Sequence, residues 1–397
     1  MSVNAMSFEQ AATILTSLAA QATGSAPLAV QSLADYISVG QSLLLTGYDP
    51  LNIGISQMVS KTIFAYRPFT GALSSLDRDA NEWGAIMRKV NAIQQAIEND
   101  GSYSLADVQH APDMFDVRKP KLWQSNFYGF DIWADHVSVT RQQLKNAVTN
   151  PAEMGRLMDL ILGTKANEME ISRETFRRAT ISNLIAATYA LGNTYQIRHL
   201  LTEYNAATGL TTPLTAQTVK QPENYGPFFR WAYAQIAKVS DMLRNPSSLY
   251  HLNPSAGTIL RHTPKADQRL YIYSGALHDI DAQVLATTFN PYEVNKQLPG
   301  VTEAVDFFQS AQTPDAINIT PAYIDATGQQ VSAATAQNVE NIFALLCDRD
   351  AMGVNFYDQS VEVSPYEAAG QYYNYWYHDA HRYYNDNTEN AVLFLLD

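Results

Sequence analysis

Apolar positions along this chain change their spacing several times, and each change predicts an element. Ile342-Phe343-Ala344-Leu345-Leu346-Cys347 is an unbroken apolar run that stops at Asp348-Arg349-Asp350, and Ala391-Val392-Leu393-Phe394-Leu395-Leu396 lies at the C-terminal end. Both read as strands. A terminal strand is ordered only where an existing sheet accepts it, so residues far upstream must build that sheet.

Upstream, Pro27 to Leu45 has loose helical periodicity through Leu28, Leu33, Ile37, Leu43 and Leu44, ending in the turn Gly47-Tyr48-Asp49-Pro50. Residues 1–57 read either as an arm that packs on something else or as an ordinary core helix. Ser60 to Phe69 reads as a strand, and Glu82 to Ile93 as another, with Trp83, Ile86 and Val90 set among polar residues that include Arg88 and Lys89. Gln124 to Thr140 alternates polar residues with Phe127, Phe130, Ile132, Trp133, Val137 and Val139. The simplest assembly is a long hairpin with arms near 84–95 and 122–135. A two-stranded ribbon of that length is marginal alone in water, so it must fold back on its own domain or be covered by a neighbouring chain.

The longest predicted helix spans 151–191. Asn150 suits the N-cap, Pro151 the first helical position and Gly192-Asn193 the C-terminal stop. If continuous, it is about 60 Å long. Its two ends are apolar, through Met154, Leu157, Met158, Ile161 and Leu162 and then Ile181, Leu184, Ile185 and Leu191. Its middle is charged, with Glu168, Glu170, Arg173, Glu174, Arg177 and Arg178. Such a helix exceeds what one small core covers and reads as a spine touched by several units. Beyond it come a Thr-rich loop from Asn205 to Pro222, a helix from Pro227 to Leu243, a short strand from Leu270 to Tyr273 and a short helix from Ala276 to Thr287. Residues 225–353 thus form a second lobe of mixed helix and short strands.

With 397 residues the chain has room for two or three lobes, and 46% hydrophobic composition places it among globular proteins. The net charge of −13 argues against coating DNA or an anionic membrane, while leaving room for an acidic surface that faces DNA without gripping it. The single cysteine, Cys347, excludes an internal disulfide and points to a reducing compartment. No apolar run is long enough to span a bilayer, and no basic targeting region is visible.

Dinucleotide, phosphate-loop and nucleophile-elbow fingerprints are absent. Three weaker patterns remain. Asp348 and Asp350 after an apolar strand suit a divalent cation and a nucleotide diphosphate, as in a metal- and nucleotide-dependent transferase; the plainer reading is a charged strand exit. His278-Asp279-Ile280-Asp281 offers ligands for a two-metal hydrolase, but no partner carboxylates announce themselves. His378 and His381 lie one helical turn apart with Asp379 between them. Zinc needs a third protein ligand, so hydrogen bonding at a packed surface fits them better. No cofactor, metal or catalytic residue is expected. The denser feature is aromatic: Tyr366, Tyr372, Tyr373, Tyr375, Trp376, Tyr377, Tyr383 and Tyr384 crowd one stretch. Each such ring buries about 150–250 Å² and keeps a polar tip, which suits interfaces. Only Arg382 is basic there, which argues against nucleic-acid stacking.

The run Pro365-Tyr366, Gly370-Gln371-Tyr372-Tyr373-Asn374-Tyr375-Trp376-Tyr377-His378 and Asn387-Thr388-Glu389-Asn390-Ala391-Val392 resembles the end of major capsid proteins of short-tailed bacteriophages. Lys89-Val90-Asn91, Phe115-Asp116-Val117, Phe127-Tyr128, Val137-Ser138-Val139-Thr140 and Leu346-Cys347-Asp348-Arg349-Asp350-Ala351 fall in the family's order, so the resemblance runs from about residue 60 to the end. It implies an α+β protein with the tailed-phage major capsid fold: an N-terminal arm (1–57), an extended loop (84–135), a peripheral domain with the spine helix (58–83, 136–224 and 354–397) and an axial domain (225–353). It implies a structural protein that self-assembles through pentamers and hexamers into the icosahedral shell around double-stranded DNA, formed in the host cytoplasm. Scaffolding, portal and head-decoration proteins are implied partners, with weak, non-specific DNA contact and no membrane. Intersubunit contacts are expected at Trp83, Arg88, Lys89, Trp123, Phe127, Tyr128, Tyr372, Tyr373, Tyr375, Trp376 and Tyr377. The alternatives are an encapsulin-like nanocompartment shell and the transferase that would use Asp348 and Asp350.

Overall fold

The computed structural model describes residues 12, 13, 15–17, 19, 20, 32–46, 71–78, 86–93, 115, 119–128, 130–149, 154, 165–284 and 301–397. The strand expected at 60–69, the hairpin tip and, apart from Met154, the spine helix before residue 165 lie outside them. In chain order the elements are helix α1 (Leu33–Thr46), strands β1 (Ile86–Ile93), β2 (Lys121–Tyr128) and β3 (Phe130–Thr140), and helices α2 (Arg141–Thr149) and α3 (Lys165–Leu191). Strand β4 (Ile197–His199) precedes helices α4 (Leu200–Thr208) and α5 (Pro222–Met242), strand β5 (Gln268–Tyr273) and helix α6 (Ser274–Val284). Short strands follow: β6 (Val301–Val305), β7 (Ile317–Ile319), β8 (Ala322–Ile324), β9 (Gln330–Ser332) and β10 (Gln337–Val339). The C-terminal strands are β11 (Ile342–Asp348), β12 (Met352–Val363), β13 (Tyr372–Asn385) and β14 (Ala391–Leu395).

The terminal strand enters the interior of a five-stranded sheet ordered β4-β14-β11-β5-β6. It runs antiparallel to β11 and parallel to β4. Every residue of β11 and β14 is buried, because both sheet faces are covered. Phe343, Leu346, Val392 and Phe394 join Leu270, Ile272 and residues of α4 and α5 in one core. Leu345, Cys347, Leu393 and Leu395 point the other way, against Ile181, Leu184 and Ile185 of α3. Strands covered on both faces read as continuous apolar runs rather than as alternation. The ranges 225–353 and 354–397, separate in sequence, therefore meet in one sheet through β11 and β14.

The order β12-β13-β3 makes a second, wholly antiparallel sheet, and β1-β2 a two-stranded ribbon. In the ribbon Ile86 opposes Tyr128 and Ile93 opposes Lys121, so the expected arms do meet. The second arm, expected to reach 135, stops at Tyr128. From Phe130 onward the chain pairs with β13, starting opposite Arg382. Two helix boundaries also differ from expectation. Helix α5 starts at Pro222 rather than Pro227, after an extended Gln221 (ψ 143°), and Pro227 sits inside it. Residues 205–208, expected as loop, finish α4, which closes on a left-handed Gly209 (φ 60°).

Candidate functional site

The β13–β14 connection, Asp386 to Asn390, is buried although all five residues are polar. Such groups are costly inside a protein unless partnered, and each is. Asn387 accepts from the Ile324 amide (2.9 Å) and donates to the Ile324 carbonyl (2.8 Å), as a strand neighbour would. Asn390 donates to Thr263 Oγ1 (3.0 Å) and meets His251 Nδ1 at 3.2 Å. Thr388 Oγ1 donates to Asp386 Oδ1 (2.5 Å). Arg261 donates through Nε to the Thr388 carbonyl (3.0 Å) and pairs with Glu389 at 3.0 Å. Lys89 of β1 completes the knot, pairing with Asp386 at 2.5 Å and with Glu389.

Burial disfavours the Lys89 ammonium, but Asp386 and Glu389 outweigh it and hold the lysine above its ordinary value. Burial pushes the Glu389 carboxyl up, against the pull of Lys89 and Arg261. The lysine keeps the proton, since its ordinary pKa lies about six pH units above that of a glutamate. The knot therefore fastens the hairpin root to the C-terminal strands by an ion pair.

Alternation gives the ribbon two faces. Asn91, Ile93, Trp123, Ser125 and Phe127 are buried, with Ile93, Trp123 and Phe127 packed on Ile259 and Ile324. The Asn126 amide donates to the Gly328 carbonyl (3.1 Å), where the β8–β9 turn closes on β2. Gly328 is left-handed (φ 89°), and a β-carbon there would collide with the Gln124 carbonyl oxygen. On the outer face Val90 and Leu122 are 59% and 63% exposed. Of the expected intersubunit residues, Lys89, Trp123 and Phe127 are thus turned toward their own subunit, and Arg88 faces out. Trp83 and the Tyr128 side chain lie outside the described residues. Val90 and Leu122 were not among the expected contacts. Their signal was the same alternation: if Trp123 and Phe127 face inward, Leu122 faces outward.

The aromatic stretch divides in the same way on β13. Tyr373, Tyr375 and Tyr377 are buried within the subunit, which corrects their expected placement at an interface. Tyr372 and Trp376 occupy the other face and are half-buried, with Trp376 stacked on His136 at 4.4 Å between ring centres. A strand's period of two also sends His378 and His381 to opposite faces, so they cannot share a metal. His381 packs between Trp133 and Phe176, 4.0 and 4.3 Å from their ring centres. Asp348 spends its carboxylate on the Asp350 amide (2.8 Å) and Thr263 Oγ1 (2.7 Å), capping a turn as a charged strand exit should. Among the described residues no group of three or more His, Cys, Asp or Glu could hold a metal ion, and no helix is long and apolar enough to cross a membrane.

The polar middle of α3 is a clamp. Arg173 donates to both oxygens of Asp379 on β13 (2.8 and 3.0 Å), and Arg177 to both oxygens of Asp77 (2.8 Å each). Arg178 donates to Glu174 (3.2 Å) and to the Phe307 carbonyl (2.9 Å). The helix thereby joins the second sheet, the 71–78 segment and the loop after β6.

Burial holds His381 below the ordinary histidine value. An unfolded histidine takes its proton near pH 6.5, whereas His381 does so only at lower pH. The unfolded chain therefore binds more protons as pH falls below about 6.5, and this contribution is intact above that pH and lost below it. The melting temperature is expected to fall between pH 7.5 and 5, less steeply for His381→Phe than for the parent. Parallel slopes would show that His381 is not held neutral.

Comparison with known proteins returns one answer by family and by shape. The model of the Phi29-like phage major capsid protein family matches residues 21–395. A chain in the capsid structure of Staphylococcus phage Andhra is similar with a TM-score of 0.55 and 11% identity, over 84% of this chain and 86% of that one. A chain in the structure of the head fiber and inner core protein gp22 of native bacteriophage P68 is similar with a TM-score of 0.56 and 9% identity, over 83% and 86%. At these identities the likeness is one of fold. No match was found among curated protein sequences.

Proposed function

The chain belongs to the Phi29-like phage major capsid protein family, and on that premise we propose how its parts serve a shell. The protein is structural, has the tailed-phage major capsid fold, and associates with copies of itself in the virion head. The nanocompartment and transferase readings are not favoured. In our reading β1–β2 is the root of an extended loop that lies over a neighbouring subunit through Arg88, Val90 and Leu122. Helix α3 with the β12-β13-β3 sheet forms the peripheral domain, and α5, α6 and the short strands β6–β10 belong to the axial domain. Residues 1–57 form the arm. Tyr372 and Trp376 remain candidates for contacts between copies; Tyr373, Tyr375 and Tyr377 serve the subunit's own core. Assembly in the host cytoplasm, with scaffolding, portal and decoration partners, and weak contact of an acidic protein with packaged DNA complete the proposal.

The observation that carries this reading is the exposed apolar pair on the ribbon. Val90 and Leu122 are each more than half exposed on a paired, otherwise well-packed element. Removing residues 96–120 is expected to leave the circular dichroism of the subunit unchanged and to abolish rings and shells. Gel filtration and electron microscopy decide it. Normal particles from the shortened chain would mean that this loop does not reach a neighbour.

A further inference from the structure

The hairpin root roofs a cavity of about 300 Å³. Four cations line it, Arg78, Arg88, Lys89 and Arg382, against two carboxylates, Asp350 and Asp386. Lys89 is already committed to Asp386 and Glu389. Arg78 donates to the carbonyls of Ser75 (2.8 Å), Met352 (3.2 Å) and Arg349 through Nη1 and Nη2, which leaves its charge unneutralised. Arg88 makes no ion pair among the described residues. The cavity therefore keeps surplus positive charge in a protein whose net charge is −13. Met87 and Phe127 give it an apolar wall.

The complementary charge lies on the same chain. Residues 94–120, between the two arms of the hairpin, hold Glu98, Asp100, Asp107, Asp113 and Asp116, against Arg118 and Lys119 at their C-terminal end. Phe115, set between Asp113 and Asp116, is 77% exposed. An aromatic ring flanked by carboxylates matches a cationic cavity with an apolar wall. The geometry points to this acidic segment of a second copy as the occupant of the root cavity, so that successive subunits engage tip to root. This rests on the shell reading above. Within one subunit Phe115 is exposed and does not line the cavity, which leaves the cavity to the segment of another copy.

Charge reversal tests the contact. Arg88→Glu, and separately Asp113→Lys with Asp116→Lys, are each expected to cut the yield of rings or particles about tenfold at fixed concentration and salt. Neither should move the melting temperature of the unassembled subunit if the loss is one of assembly alone; Arg88 is exposed. Arg88→Gln, which removes the charge without reversing it, should give a smaller loss in the same direction. Mixing the two charge-reversed variants should restore six-membered rings, in which they can alternate so that each substituted segment meets a substituted cavity, but not five-membered rings, which cannot alternate. Parental yield from either variant would overturn the contact. So would failure of the mixture to form six-membered rings, and rescue of a single chain carrying all three substitutions beside that failure would place the contact within one subunit. The parent in the same assay separates the two levels. If it forms no rings or particles, the shell reading fails and the contact with it; if parent and variants assemble alike, only the contact fails.

Discussion

Asp379→Ala is expected to lower the stability of the subunit by about 3–5 kcal/mol, the usual cost of stranding a buried charge. Asp379 is 1% exposed and grips Arg173 through both carboxylate oxygens. Arg173 also lies over the Phe356 ring at 4.7 Å, in a place water enters poorly. Without Asp379 the guanidinium keeps a distant partner in Glu170, 3.9 Å away on its own helix. Removing both charges together, as Arg173→Met with Asp379→Leu, should recover most of the loss, because two apolar side chains carry no desolvation penalty. Unfolding of the unassembled subunit at fixed concentration measures each arm. If the double replacement costs the sum of the single ones, the two charges are not coupled and the clamp is ordinary packing.

That clamp was half-legible in the sequence. Six charged residues in the middle of a helix with apolar ends announced that something other than one core contacts it. Which partners take the arginines was not legible, because Asp77 and Asp379 lie 100 and 206 residues away from them in the chain. The sheet that accepts β14 shows the opposite case. Two of its three inner strands are apolar from Ile342 to Cys347 and from Ala391 to Leu395 because both faces of the sheet are covered, and that pattern belongs to the strand itself. The ribbon falls between. Its pairing could be read from alternation, but the alternation continues unchanged from Gln124 to Thr140 while the chain leaves one sheet for another between Tyr128 and Phe130. Period two tells which residues share a face, never which sheet supplies the partner. The same limit explains the tyrosines. Their density marked a surface worth covering, but whether the subunit's own body or a second copy covers it depends on tertiary placement. Reading His378 and His381 as one helical turn apart failed for a simpler reason: the stretch is a strand, and an odd separation puts them on opposite faces.

Lys89→Ala is expected to loosen the hairpin root and to cost about 3 kcal/mol, the lower end for breaking a buried pair because the lysine is 27% exposed. The loss has two sources. Asp386 and Glu389 would face each other inside the fold with Arg261 as the remaining cation. The ribbon would keep its inner face on Ile259, Ile324 and Tyr384, the Asn126–Gly328 bond and the bond from Arg261 to Asn91. Lys89→Arg, which keeps the charge, should retain part of the stability. The dependence on pH has a definite sign. The folded pKa of Lys89 is raised, so its contribution is complete below the unfolded lysine value of about 10.4 and lost only as pH rises through the higher folded value. The gap between parent and Lys89→Ala should accordingly stay constant from pH 7 to 9. Limited proteolysis reports on the root directly, with cleavage in the 86–128 ribbon expected to speed up about a hundredfold if local opening follows the lost free energy. Unchanged protection in Lys89→Ala would mean that Trp123 and Phe127 hold the ribbon without the ion pair. The buried polar connection from Asp386 to Asn390 would then serve to join β13 to β14 and the strands beside them, with no part in presenting the loop to a neighbour.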